Sequence, residues 1–175
     1  MIDLKNLKGA DLSTELCGVK LQSPFILSSG PLTYAAEGMI RAHQAGCGAV
    51  VTKTIRHEAA VNPVHHIGKI NKDSLINCEK WADSPAEVWF EREIPMTKKA
   101  GAVVIASVGH TFPEAHDLVK PCEDAGADFI ELVSYTEDTI IPMLETTLKQ
   151  VKIPVLCKLS GNWPDPVGVA KKCLE

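Results

Sequence analysis

The sequence lacks three patterns that would have pointed directly to a function. Its six cysteines never stand as C-x-x-C, so we do not expect a metal or cluster site within the chain. The longest apolar runs, such as 102–106, are far shorter than the roughly 18 residues that a membrane-spanning helix needs. Lysine and arginine never cluster beyond a pair, and the net charge is −4, so no basic surface for nucleic acid is indicated.

What remains is the composition of an ordinary soluble domain. The 175 residues are 45% hydrophobic and 23% charged, which is enough apolar content for one buried core. The start, MIDLKNLKGADL, has no secretory apolar segment. We therefore expect a single cytoplasmic domain, 1–175, that acts on a small molecule. The cysteines have mostly apolar neighbours and are expected to be small buried hydrophobes.

One phrase recurs along the chain and indicates the fold. Three times an Ala-Gly pair follows a helical pattern and precedes a short β-branched run, at Gly46, Gly101 and Gly126. Glycine in this place suits the left-handed residue just beyond a helix C-terminus. The apolar run after it suits a strand that is buried on both faces. Each phrase therefore predicts a junction between a helix and a strand.

These junctions predict alternating strands and helices. We expect strands near 24–29, 49–54, 102–107, 128–133 and 154–159, and helices near 35–45, 85–99, 113–125, 138–150 and 165–174. Strict alternation implies a parallel sheet, either open and doubly wound or part of an eight-unit barrel. Ser28-Ser29-Gly30-Pro31 is no G-x-G-x-x-G phosphate turn, which favours the barrel. We predict an α/β TIM barrel of which about the first five β/α units are present, with a small β-hairpin within 12–22.

The long connection 55–84 is rich in polar residues, and such insertions are often functional. Within it, His65-His66 has no carboxylate or cysteine partner at ligand spacing, so we expect a solvated loop rather than a metal site. Helical spacing favours core packing for the aromatic residues at its end, Trp81, Trp89 and Phe90.

The carboxyl ends of the predicted strands are unusually polar, and in a barrel the chemistry occurs at those ends. They carry Ser28, Ser29, Gly30, Thr52, Lys53, Thr54, Ser107, Gly109, His110, Ser134, Tyr135, Thr136, Lys158, Ser160 and Asn162. Two lysines from separate strands would converge there, where ammonium groups can hold an anion or stabilise developing negative charge. The alternative is that each lysine extends into solvent. His110 is an acid–base candidate at the same edge.

Four stretches, in chain order, carry a resemblance. They are LSTELCGVKLQSPFILSSG (12–30), GAVVTKTI (48–55), SLINCEKWADSP (74–85) and PVLCKLS (154–160). Together they resemble the FMN-binding barrel of the dihydroorotate dehydrogenase family, and the third is similar to its dihydropyrimidine dehydrogenase branch. The resemblance covers essentially the whole chain, which we identify as a fragment or a divergent member of that family.

This resemblance implies an FMN cofactor and a set of site residues. The cofactor-binding residues that it implies are Ser28, Ser29, Gly30, Thr52, Lys53 and Lys158, to which we add Ser107 from the polar end of the third strand. It also implies that Lys53 takes part in catalysis, and that Asn77 binds a pyrimidine-like substrate. These roles are physically sensible, because a fixed cation beside a flavin favours the negative charge that the flavin gains on accepting hydride.

The chain departs from the family after the fourth strand. The family typically reads ELNxSCPN there, with a cysteine or serine as the catalytic base, whereas this chain reads ELVSYTED at 131–138. Val133 replaces the first asparagine and Thr136 stands at the position of the base. A threonine hydroxyl needs a relay or a neighbouring base to take a proton. Glu137 or Asp138 is a candidate for that base, unless both merely favour the N-terminus of the next helix.

Length is the second departure, since an eight-unit barrel needs roughly 250 residues. The strands whose loops bind the FMN phosphate in the family have no counterpart in this chain. We expect the open sheet to self-associate as a homo-oligomer, or to be completed by a partner. The resemblance also implies an electron-transfer subunit or domain that carries a flavin or an iron–sulfur cluster.

Three functions stay open at this point. The first is a flavin-dependent oxidoreductase that transfers hydride between a dihydropyrimidine-like substrate and FMN. The second is a lyase that forms a Schiff base with Lys53 or Lys158. The third is a non-catalytic barrel fragment or subunit.

Overall fold

The computed structural model describes residues 10–175. The first nine residues lie outside it, and with them part of the predicted domain 1–175 and of the stretch searched for a secretory segment. No helix of the described part is long and apolar enough to cross a membrane.

Strands and helices alternate as predicted. The strands are β1 Thr14–Leu16, β2 Val19–Leu21, β3 Ile26–Leu27, β4 Ala49–Val51, β5 Ile67–Asn71, β6 Ser74–Asn77, β7 Val104–Gly109, β8 Phe129–Val133 and β9 Val155–Lys158. The helices are α1 Ala36–Gln44, α2 Ala86–Val88, α3 Ile94–Lys99, α4 Phe112–Asp124, α5 Glu137–Leu148 and α6 Pro166–Lys172. A π-helical segment, Trp89–Glu93, joins α2 to α3, so the predicted helix 85–99 forms as three consecutive pieces.

Five strands form one parallel sheet in the order β3-β4-β7-β8-β9, which is also their order along the chain. β1 and β2 form the predicted antiparallel hairpin. A second antiparallel hairpin, β5 and β6, lies inside the connection 55–84, and the sequence analysis did not predict it. Its burial pattern explains why: nearly every residue of both strands is exposed, so no alternation of buried and exposed residues marks it.

The two faces of the sheet are covered differently. One face packs against helices, where residues such as Met39, Trp89 and Met143 join the strands in the larger core. The smaller core on the other face contains only strand and hairpin residues, among them Leu21, Ile105 and Phe129. A doubly wound sheet carries helices on both faces, whereas a barrel keeps them outside. The packing therefore confirms a partial α/β barrel whose inner face is closed at its base by the β1–β2 hairpin.

Glu93, at the end of the π-helical segment, is buried and joins two of the β/α units. Its carboxylate accepts a hydrogen bond of 2.6 Å from the backbone N–H of Ala36. Ala35, the N-cap residue of α1, has no side-chain hydrogen bond to the helix, so Glu93 satisfies one of the free amides at that helix end.

The helix-to-strand junctions have the predicted backbone geometry. Gly46, Gly101 and Gly126 have φ angles of 103°, 91° and 102° and each follows a helix. Gly48 is needed for a different reason. Its amide donates to the Phe25 carbonyl, and a Cβ on it would overlap the Ser23 carbonyl oxygen, so only glycine allows β3 and β4 to approach there.

Two expectations about burial are wrong. Among the six cysteines only Cys122 is fully buried. Cys17 lies in the turn of the β1–β2 hairpin and Cys78 directly follows β6, both exposed, and the other three are half-buried. Trp89 and Phe90 pack in or against the core as predicted, but Trp81 does not. It lies in the loop before α2 and contacts polar groups instead.

Replacing Gly48 with alanine should lower the free energy of unfolding by about 2 kcal/mol, the usual cost of forcing an atom into a packed site. The clash is with backbone, which cannot rotate away. Urea denaturation measures the loss. Gly161→Ala is the matched control, since a Cβ at Gly161 meets nothing within 4 Å. Equal stability of the two variants would contradict the proposed close approach.

Candidate functional site

The carboxyl ends of β3, β4, β7, β8 and β9 lie at one edge of the parallel sheet, which we call the mouth. Strand register places Gly109, Val133 and Lys158 side by side in its outer row. Ser107 and Glu131 are paired two residues deeper along the same two strands. The predicted strand-end residues therefore lie at a common edge, as the sequence analysis expected.

The end of β4 leaves the regular ladder. Val51 pairs with Ile105 but Ile55 pairs with Val108, so the chain after β4 carries one extra residue relative to β7. Within this bulge the Thr52 hydroxyl accepts the Ser107 backbone N–H at 2.9 Å. Two predicted cofactor residues, Thr52 and Ser107, are thereby in direct contact.

Because of the bulge, Lys53 turns toward the first strand of the sheet. Its backbone N–H donates to the Thr33 carbonyl at 3.0 Å. Thr33 in turn closes the turn after β3, since its hydroxyl accepts the Gly30 N–H and its N–H donates to the Gly30 carbonyl. The turn that contains Ser28, Ser29 and Gly30 is thus held directly beside Lys53.

The side chain of Lys53 is buried in an ion pair that the sequence analysis missed. Its Nζ lies 2.7 Å from Oε2 of Glu79, and the two side chains are only 8% and 6% exposed. That oxygen is paired with the ammonium by charge, although the angle of the contact lies outside hydrogen-bond geometry. Asn77, which is exposed, accepts the Glu79 backbone N–H with its Oδ1 at 2.9 Å. Lys53 and Asn77 are therefore brought together through Glu79.

Lys158 and Thr136 are arranged differently. Lys158 is solvent-exposed at the end of β9 and does not share the buried position of Lys53. Thr136 is the exposed N-cap residue of α5, and its hydroxyl lies 3.3 Å from the Thr139 hydroxyl. Its neighbour is thus another hydroxyl rather than a base. Glu137, a candidate base, instead accepts the Asp165 backbone N–H at 3.2 Å.

His110 is the most unusual polar residue at the mouth. It is 8% exposed, and neither ring nitrogen has a hydrogen-bond partner among residues 10–175. The ring stacks on Tyr135 with centroids 3.9 Å apart, and Trp81 meets it edge-on at 6.2 Å. Burial, reinforced by the charge of Arg56 and opposed by Glu114, lowers the pKa of His110 to about 4. The imidazole is therefore neutral at pH 7, with one donor and one acceptor unused.

A second ion pair, Arg56 with Glu114, borders this aromatic group. Arg56 Nε lies 2.6 Å from the carboxylate, and its guanidinium covers the Trp81 ring at 4.4 Å. Glu114 also accepts the backbone N–H groups of His110 and Thr111. Burial raises the pKa of Glu114, but these hydrogen bonds outweigh it and the net shift is downward. These residues line an open cleft of about 410 Å³, which no local sequence pattern indicated.

Lowering the pH should reduce the free energy of unfolding, because His110 is protonated more readily in the unfolded chain. Its folded-state pKa of about 4 lies below its unfolded value of 6.5, so the unfolded chain binds the proton first. The contribution of neutral His110 to the free energy of unfolding is complete above pH 6.5. It is lost as the pH falls to 4, which lowers that free energy by about 3 kcal/mol. His110→Phe keeps an aromatic ring on Tyr135 without a titrating group. Urea denaturation at both pH values should show a smaller pH dependence for this variant, and an unchanged dependence would contradict the assignment.

The fold and the polar mouth define a partial α/β barrel, and two solved structures share this fold. A phosphonopyruvate hydrolase matches with a TM-score of 0.56 and 20% identity, over 88% of this chain and 50% of its own. An IMP dehydrogenase/GMP reductase-like protein from Corynebacterium glutamicum matches with a TM-score of 0.55 and 14% identity, over 86% of this chain and 43% of its own. At these identities the likeness concerns the fold alone.

No protein-family model matches the chain, but curated relatives are similar to it over most of its length. The catalytic subunits of dihydroorotate dehydrogenase B (NAD(+)) from Thermoplasma acidophilum and Thermoplasma volcanium are 30% and 32% identical to it, each over 93% of this chain and 58% of the relative. The NAD-dependent dihydropyrimidine dehydrogenase subunit PreA of Escherichia coli is 29% identical over 91% of this chain and 44% of the relative. The chain spans less than two thirds of the length of these relatives. These relatives, similar over most of the chain, are consistent with the dihydroorotate dehydrogenase family that the motifs predicted.

Proposed function

We propose that this chain forms the catalytic part of a flavin-dependent oxidoreductase, which transfers hydride between a dihydropyrimidine-like substrate and FMN. The observation that carries the proposal is the meeting of Lys53 and Asn77 at the mouth, through Glu79, in a chain whose relatives belong to this family. An ammonium and an amide from separate segments suit a ring that carries carbonyl groups and develops negative charge.

The residues at the mouth fit the ring half of FMN. The two unpartnered nitrogens of His110 are a buried donor and acceptor that await a polar ligand. The turn after β3 offers backbone and hydroxyl groups beside the buried ammonium of Lys53. Within residues 10–175 no glycine-rich turn follows a strand of the sheet, so we assign no residue to the phosphate.

When bound, FMN would supply the hydride acceptor, and the residues of this chain would position and polarise the substrate. Lys53 would stabilise negative charge on the acceptor ring, since it is held in place by its ion pair. The Oδ1 of Asn77 already accepts the Glu79 N–H, so its NH₂ group remains to donate to a substrate carbonyl. Thr136 is exposed, so its hydroxyl would donate its own proton to water as it takes the proton from the substrate, while its contact with the Thr139 hydroxyl would orient it.

The alternatives have less support. A Schiff base requires a neutral amine, but Lys53 is ion-paired with Glu79 in a buried setting and Lys158 is exposed to water. A non-catalytic fragment or subunit fits the altered loop after β8, where Val133 and Thr136 replace the family residues. Absence of flavin binding would favour this third reading.

We also infer that further polypeptide covers the two edges of the sheet. Within residues 10–175, β3 and β9 each have a neighbour on one side only, and Phe25 beside β3 is 66% exposed. Unpaired edges with apolar side chains favour association. The name of PreA describes a dehydrogenase subunit, which supports a partner subunit that exchanges electrons with this chain. A second copy of the chain is the other candidate, which would make the protein a homo-oligomer.

Flavin binding tests the proposal directly. The fluorescence of riboflavin and of FMN should be quenched when the chain is added. Because no residue is assigned to the phosphate, the two dissociation constants should agree within about threefold. A phosphate contact worth about 1.4 kcal/mol would instead make FMN bind about tenfold more tightly than riboflavin. Lys53→Met should weaken both by about tenfold, the value of one charged hydrogen bond. Lys69→Met, at an exposed lysine of β5, is the matched control. Failure of either flavin to bind would overturn the proposal.

Thr136→Cys tests the position of the base. A thiol loses its proton far more readily than a hydroxyl, so this variant should oxidise dihydrouracil at least about tenfold faster, measured as flavin bleaching. Folding should be unaffected, because the Thr136 side chain forms no cap hydrogen bond with α5. Thr136→Val, which removes the hydroxyl, is the companion variant. If all three proteins bleach the flavin at one rate, Thr136 is not at the reacting atoms.

A further inference from the structure

Tyr135 lies at the mouth with its ring largely in solvent, and the function proposed above gives it no role. It follows the carboxyl end of β8 and directly precedes Thr136. The residue is 67% exposed. A single exposed aromatic residue is ordinary on a protein surface. Tyr135 differs from such a residue in what lies behind its ring.

One face of the Tyr135 ring is covered by the imidazole of His110. The two ring centroids are 3.9 Å apart and the two planes differ by only 15°, so the rings are stacked face to face. Because Tyr135 is mostly exposed while one of its faces is covered, the opposite face of its ring is left to solvent. Aromatic faces attract other flat rings in this arrangement.

His110 is a fixed support for that ring. It is 8% exposed, the Trp81 ring meets it edge-on at 6.2 Å, and its backbone N–H donates to the Glu114 carboxylate. Within residues 10–175 its ring nitrogens have no hydrogen-bond partner, so packing alone sets the plane of the imidazole. Burial lowers the pKa of His110 to about 4, and the ring behind Tyr135 is therefore uncharged at neutral pH.

The backbone that carries Tyr135 is held as well. The indole N–H of Trp163, a buried residue, donates to the Tyr135 carbonyl at 3.2 Å. On the other side the Thr136 N–H donates to the Ser134 hydroxyl at 3.2 Å, and that hydroxyl contacts the Thr136 carbonyl at 2.9 Å. A ring that is already fixed loses little conformational freedom when a ligand stacks on it, which favours binding.

The Tyr135–His110 pair lies between the two segments that the proposed function assigns to the substrate. Thr136 is the next residue after Tyr135 on one side. On the other side, Trp81, which contacts the imidazole, follows Asn77 in the loop after β6. A ring held between these segments therefore lies beside an aromatic face.

We propose that the solvent-facing side of the Tyr135 ring, supported by His110, is a stacking platform that binds the planar, unsaturated form of the pyrimidine ring in preference to its dihydro form. This inference rests on the proposed function, since it concerns the ring acted on at the same mouth. The two forms carry the same carbonyl and N–H groups, so hydrogen bonds do not distinguish them. They differ at the saturated carbons, whose hydrogens project from the ring and hold it away from an aromatic face. The platform would thus shift the bound equilibrium toward the unsaturated ring.

Uracil and dihydrouracil are the two probes that test this inference, and their binding to the full chain is measured by calorimetry without added flavin. The wild type should bind uracil about tenfold more tightly than dihydrouracil, which is within the usual effect of stacking one base on an aromatic side chain. Tyr135→Leu keeps an apolar side chain but removes the flat ring, so the ratio of the two affinities should fall to about one. Tyr135→Phe should keep the wild-type ratio.

Matched variants separate stacking at the mouth from the loss of any exposed ring. Phe25→Leu removes an aromatic ring that is 66% exposed at the amino end of β3, and it should leave the ratio unaltered. His110→Phe keeps a ring behind Tyr135 and should preserve the ratio, whereas His110→Ala should lower it by about threefold or more. A purely structural role of His110 would change both affinities alike and leave the ratio as it is. Circular dichroism confirms the fold of each variant.

The outcomes distinguish this inference from the function on which it rests. A wild-type ratio near one, or a ratio that Tyr135→Leu leaves unchanged, overturns the platform even when the chain binds flavin. If Tyr135→Leu weakens riboflavin binding and leaves the pyrimidine ratio unaltered, the ring stacks on the flavin and the inference is overturned as well. A ratio that falls as expected supports the platform even when flavin does not bind and the oxidoreductase proposal fails. Absence of binding by both pyrimidines in every variant overturns the inference.

Discussion

The arrangement of the mouth depends on one hydrogen bond, from the Ser107 amide to the Thr52 hydroxyl. A buried backbone amide has to be paired, and β4 can leave the ladder at this point only because a side chain replaces the missing carbonyl. The extra residue then turns the Lys53 amide toward Thr33, so the turn after β3 is held against the end of β4. The direction of the Lys53 side chain, and with it the burial of its charge, follows from that turn.

Much of the fold could be predicted because the signals are local. The glycine after each helix and the apolar run after each glycine depend on a few neighbouring residues, and they placed all five strands of the parallel sheet. The β5–β6 hairpin could not be predicted, since its strands are exposed on both faces and carry no periodic pattern. The cysteines were misjudged for a related reason. Apolar neighbours in sequence do not reveal that Cys17, in the turn of one hairpin, and Cys78, directly after another, are exposed.

The site was predicted in part. Strand ends meet in any parallel sheet, so the polar residues at those ends could be named in advance. Glu79 and Glu114 could not, because a carboxylate in a polar segment looks the same whether it faces water or a buried cation. Trp81 was misassigned because helical spacing was extended into a loop, where its indole N–H is bound by the Glu58 carbonyl and its face by Arg56. Contacts between residues distant in sequence decided each of these cases.

The bond between Glu93 and the N-terminus of α1 has a consequence for how the chain folds. The residue that satisfies this helix end belongs to the next β/α unit, 57 positions further along the chain. The first helix is therefore incompletely satisfied until the second is in place, which disfavours a state in which one unit is formed alone. In a repetitive architecture, whose units could otherwise open one by one, this link couples the first two units and favours their forming together.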